Sequence, residues 1–110
     1  MGTSEDFEYT VTKSGGDATV AVRGDLDAAT GPSLSAAVSA LTHDGVTRVL
    51  IDLDHVTFID SKGLSALLES HRSVTERDMT LTLVNLQPGV QRLFRITGVD
   101  AVLLDGTGST

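Results

Sequence analysis

Cysteine and tryptophan are absent from the 110-residue chain, proline occurs twice, and three Phe and one Tyr are the only aromatics. Without thiols there is no disulfide, no thiolate nucleophile and no cysteine-ligated zinc, and a cytoplasmic location is the simplest expectation. No apolar run approaches the roughly 20 residues of a membrane-spanning helix, and the polar, acidic Met1 to Asp6 is unlike a secretory leader. Neither a membrane nor a nucleic acid is therefore expected as partner. Eight Lys and Arg stand against fifteen Asp and Glu, a net charge of -7, whereas phosphate backbones require a basic face. What remains is a chain 40% apolar, suited to one aliphatic core and a single domain over residues 1–110.

The apolar pattern alternates from Phe7 to Lys13, with Phe7, Tyr9 and Val11 on one face, and again at Ala18, Val20 and Val22. Ser14-Gly15-Gly16-Asp17 between them has the glycines of a tight turn, so the segment reads as a hairpin with one wet face. Leu34, Ala37, Val38 and Leu41 recur at helical spacing, with Asp27 or Thr30 as cap and Pro32 in the first turn. Val49-Leu50-Ile51 and Leu53 read as a strand covered on both faces. A second helix runs from Ser61 with Leu64, Leu67, Leu68, His71 and Val74 on one face. Leu81, Leu83, Val84 and Leu86 make another strand. A helix with Val90, Leu93, Phe94 and Thr97 inward stops at Gly98. Ala101 to Leu104 offers a last strand, and Asp105 to Thr110 a frayed tail, for an ordered core of about 7–104. The order ββαβαβαβ predicts an α/β fold: a mixed sheet with an N-terminal hairpin, then parallel βαβ units with helices packed on the sheet.

Ligands of such sheets gather where strand C-termini meet helix N-termini. Two turns lie there, Gly24-Asp25-Leu26-Asp27 and Phe58-Ile59-Asp60-Ser61-Lys62-Gly63. Ser61 occupies an N-cap position, where its hydroxyl either accepts a first-turn N–H or serves as a phosphate acceptor at the positive end of the helix. Asp60 either orients that hydroxyl or is satisfied by loop amides. Lys62 either screens a phosphate or is solvated, and Gly63 either admits a partner backbone or merely weakens the helix. Asp25 and Asp27 rim the same region, but two carboxylates without a third ligand do not make a metal site. A hydrolase using Ser61 would need an activating His. His43, His55 and His71 sit in no such motif, His71 reading as a satisfied core residue, and no GxSxG elbow or Gly-rich phosphate loop occurs. No catalytic residue, metal or cofactor is expected.

Asp52 to Leu68, DLDHVTFIDSKGLSALL, closely resembles the signature of STAS domains of the bacterial anti-sigma factor antagonists, an Asp-Ser-Ser/Thr-Gly-Leu turn. Gly24 to Asp27 with Thr30 is similar to the family's Gly-acid-Leu-Asp turn, and Val90 to Val99 resembles its third-helix segment, so the likeness spans about residues 7 to 104. The resemblance implies a partner switch. The unphosphorylated antagonist captures an anti-sigma factor that is itself a GHKL-type serine kinase, and so frees the sigma factor. Phosphorylation, here on Ser61, breaks the complex, and a PP2C-type phosphatase restores it. Asp60, Lys62, Gly63 and Asp27 would surround the phosphosite, and Asp25, Asp27, Thr30, Ser61, Gly63 and Leu64 would meet the partner. The ATP belongs to the kinase. The alternative is a STAS interaction or ligand-sensing module without such control, favoured by Lys62 where the family usually has Ser or Thr. Many members carry another helix after the last strand, for which Asp105 to Thr110 is too short. A homodimer covering that edge therefore stays open.

Overall fold

Alternation in the first two apolar segments produces β1 (Glu8–Ser14) and β2 (Asp17–Arg23), paired antiparallel so that Ser14 faces Asp17 across a two-residue turn. The computed structural model describes residues 7–98. The strand expected over Ala101 to Leu104 and the tail after it lie outside them. Three helices and two more strands follow: α1 (Gly31–Leu41), β3 (Arg48–His55), α2 (Ser61–Thr75), β4 (Thr80–Val84) and α3 (Pro88–Thr97). The sheet order is β1-β2-β3-β4, with β2, β3 and β4 parallel, as crossover helices require.

Register divides the sheet into two faces, because paired residues point the same way. Val11, Val20, Ile51 and Leu83 form one row, and Thr12, Thr19, Leu50 and Thr82 form a row on the other face. The first face carries the core. Val20, Ile51 and Leu83 are buried there with Leu34 and Val38 of α1, Leu67 and Val74 of α2, and Val90 and Phe94 of α3. Removing each such side chain from water stabilises the fold by about 1.5–3 kcal/mol.

Five sequence-based expectations change. In β3, buried Val49, Ile51 and Leu53 alternate with half-buried Leu50 and Asp52, so only one face is fully covered. Asp52 on the second face explains this, since an ionised carboxylate needs water or a partner. All of β1 is exposed, Tyr9 and Val11 included: it is the sheet edge, and only its inner neighbour meets the core. The buried stripe of α2 is Gly63, Ala66, Leu67, Ser70 and Val74, with Leu64, Leu68 and His71 half-buried. Small residues hold this stripe because α1 approaches closely; a Cβ on Gly31 would lie 2.9 Å from that of Ala66. Finally, β4 ends before Leu86, and Thr97 is exposed, its hydroxyl bonding back to the Leu93 carbonyl at 2.9 Å. Gly98 closes α3 at φ 80°, a left-handed conformation that glycine adopts without steric cost.

Candidate functional site

Beyond the ends of β2 and β3 the chain runs as a narrow parallel extension. Gly24 N–H donates to the His55 carbonyl at 3.2 Å, Leu26 N–H to Phe58 at 3.0 Å, and Asp60 N–H to Leu26 at 3.1 Å. Leu26 and Ile59 form the bridge and are both buried, so apolar contact and backbone bonds fix the two turns against each other.

The first turn is held by its own polar residues. Asp27 carboxylate accepts from Ala29 N–H (2.9 Å) and Thr30 N–H (3.1 Å), and Thr30 hydroxyl donates to the Asp25 carbonyl (2.7 Å). Asp27, one of the two residues expected to cap α1, thus bonds the amides before it, whereas Thr30 makes no side-chain cap bond. Thr30 is 2% exposed. It braces Asp25 and Asp27 from below and offers no surface to a partner.

In the second turn the cap is Asp60 and not Ser61. Asp60 is extended, and its Oδ1 accepts from Lys62 N–H and Gly63 N–H, each at 2.9 Å. Ser61 is already the first helical residue, and the first-turn amides of Lys62 and Gly63 are taken by Asp60. Ser61 is exposed, and among the described residues its Oγ bonds to neither Asp60 nor any His. Aspartate therefore performs the structural task, and the serine hydroxyl is left outward at the positive end of a 15-residue helix.

Gly63 is buried, and the backbone it admits belongs to its own chain. A Cβ there would sit 2.2 Å from the Leu26 carbonyl oxygen, so the residue locks α2 onto the first turn and is not available to a partner. Leu64 is half-buried against the core. Lys62 is exposed and lines an open groove of about 840 Å³ between α1 and α2, with Asp27, Pro32, Ser35, Leu68 and Arg72. Thus Asp25, Asp27, Asp60, Ser61 and Lys62 gather around one surface, and Thr30 and Gly63 lie beneath it. Among the described residues no group of three or more His, Cys, Asp or Glu is arranged to hold a metal.

One residue of this surface escapes a reading of the sequence. Phe58, between buried Val56 and buried Ile59, is 50% exposed. An aromatic in an apolar run reads as core. The only signal against it is spacing, because Val56 and Ile59 cannot both point inward from this loop with Phe58 also inward.

Comparison with known proteins adds the relationship. The family model described as Mlab, STAS domain matches residues 9–105. The anti-sigma-B factor antagonist of Staphylococcus aureus is 30% identical over 80 residues, 73% of this chain and 74% of that protein. That of Listeria monocytogenes is 32% identical over 82 residues, 74% and 72% of the two chains. Among solved structures, an anti-sigma factor antagonist from Mycobacterium paratuberculosis superposes with a TM-score of 0.78 at 26% identity, covering 94% of this chain and 87% of that one.

Proposed function

The chain belongs to the STAS-domain family of anti-sigma factor antagonists, non-enzymatic regulators, and from that premise we propose that it is a phosphorylation-controlled antagonist. Unphosphorylated, it captures an anti-sigma factor serine kinase of the GHKL type and releases the sigma factor. With phosphate on Ser61 it lets the kinase go, and a PP2C-type phosphatase resets it. The observation that carries this reading is Ser61 at the first position of α2, exposed while Asp60 supplies the cap. A kinase can reach that hydroxyl without unwinding the helix.

Phosphorylation adds about -1.5 to -2 charge at this point. The two nearest helix amides with side-chain acceptors are already taken by Asp60, so the dianion stands in solvent among Asp25, Asp27 and Asp60. Like charge and desolvation both then oppose docking, and each 1.4 kcal/mol of that penalty is about tenfold in affinity. The ATP is the partner's, so the chain itself requires no cofactor. Incubation with the cognate kinase and ATP, followed by phosphosite mapping by mass spectrometry, tests the assignment. Label on Ser61 that disappears in Ser61→Ala is expected. Label that persists in Ser61→Ala removes the residue from the account.

A second reading is favoured by Lys62, a cation next to the acceptor and on the wall of the groove. In it the chain is a STAS interaction module without kinase control. A pull-down in which Ser61→Asp and the unmodified chain hold the same partner equally would select it.

A further inference from the structure

We infer that Phe58 is the apolar anchor of the partner face, and that the partner receives it in an apolar pocket rimmed by Arg or Lys. The inference rests on the reading above that the end of the molecule bearing Ser61 meets a partner. Phe58 is half exposed, yet it is not on a loose loop. Val56 is fully buried on one side of it and Ile59 nearly so on the other, and its own carbonyl accepts from Leu26 N–H at 3.0 Å. The backbone is therefore fixed and the ring is held in water by a rigid support. Among the described residues, the other exposed large apolar side chains lie elsewhere: Tyr9 and Val11 on β1, Ile96 on α3.

Charge identifies the partner's chemistry. Asp25 and Asp27 flank Leu26, whose backbone is bonded to that of Phe58, and Asp54 and Asp60 lie four residues before and two after the ring. Among the described residues, no Lys or Arg comes within 4 Å of these four carboxylates, and His55, 3.8 Å from Asp54, is the one neighbour of opposite sign when protonated. An exposed aromatic on turns that carry these four acids, with Lys62 four residues beyond it, matches an interface with an apolar centre and a mainly negative rim, and calls for a positive rim opposite. Ser61 is three residues from Phe58, at most about 10 Å of chain. A phosphate there falls within roughly one Debye length of the rim and opposes the same contact.

The test uses the GHKL-type anti-sigma kinases encoded in the same genome, purified and measured by surface plasmon resonance against the unmodified chain and four variants. Phe58→Ala is expected to weaken binding at least about tenfold, mainly through faster dissociation, with only a small drop in thermal midpoint because half of the residue is already in water. Phe58→Leu is expected to recover most of the affinity. The double variant Asp25→Asn, Asp54→Asn is expected to slow association and flatten its salt dependence. If Phe58→Ala binds like the unmodified chain while Ser61→Asp does not bind, the anchor is wrong and the functional reading stands. If neutralising the acids leaves the salt dependence unaltered, the basic rim is wrong. If no kinase binds the unmodified chain, the functional reading falls and the anchor with it.

Discussion

The two ends of the sheet use the same residue types for opposite purposes. Where β2 and β3 begin, two carboxylates are paired with cations: Asp17 with Arg48 at 2.7 Å and Asp44 with Lys13 at 2.6 Å. Where β2 and β3 end, Asp25, Asp27 and Asp60 have no Lys or Arg within 4 Å among the described residues, and Arg23 is turned to Glu8 at 3.9 Å. Two of those three acids instead bond backbone amides, Asp27 before α1 and Asp60 at the start of α2. Amide bonds satisfy a carboxylate's lone pairs without cancelling its charge. The acids beside the starts of β2 and β3 are thus matched by cations, whereas those beyond the strand ends are held rigidly and keep their charge, a condition a recognition surface needs and a merely stable fold does not.

If rigidity at the second end comes from the contact between α2 and the first turn, Gly63→Ala is the most damaging small change. Its methyl would meet the Leu26 carbonyl oxygen, backbone that cannot swing aside, and a loss of about 3 kcal/mol is expected in urea denaturation. Next comes the cap. Asp60→Ala should cost about 1 kcal/mol, and Asp60→Asn much less, because an amide oxygen still accepts from Lys62 and Gly63. Ser61→Ala should leave stability within about 0.5 kcal/mol, since the hydroxyl holds nothing together. A cap-sized loss in Ser61→Ala would return the capping role to the serine.

The smallest effect belongs to the cation-paired acids. Hydrogen bonds from Arg48 and Lys13 hold the Asp17 and Asp44 carboxyls below their ordinary value of 3.8. A lowered value in the folded state means stabilisation present above pH 3.8 and lost as pH falls through the folded values. Both groups are solvent-exposed, so the contribution is small. The variant combining Lys13→Ala and Arg48→Ala should differ little from the unmodified chain at neutral pH and decline less steeply below pH 4 in an acid titration followed by circular dichroism.

Much of this was legible in the sequence, for identifiable reasons. The hairpin and all three helices followed from periodicity, since period 2 and period 3.6 are direct consequences of backbone geometry, and the parallel pairing followed from the helices that separate the later strands. The turn motifs marked the site because Asp, Ser and Gly stand where a strand hands over to a helix. What stayed hidden depended on contacts distant in sequence. Asp60 and Ser61 are both good caps, and only the bridge between Leu26 and Ile59 sets the register that makes the aspartate extended and the serine helical. Thr30 and Gly63 resemble surface recognition residues in a motif, and tertiary packing buries them. Phe58 looks like core by composition and is displaced from it by its buried neighbours.

The measurement that bears most directly on the switch compares one kinase with two forms of the chain, unmodified and stoichiometrically phosphorylated on Ser61, by isothermal titration. The negative surface described here predicts that the dianion weakens binding by about a hundredfold or more, with the far-ultraviolet circular dichroism unchanged. Equal affinity of the two forms would contradict it.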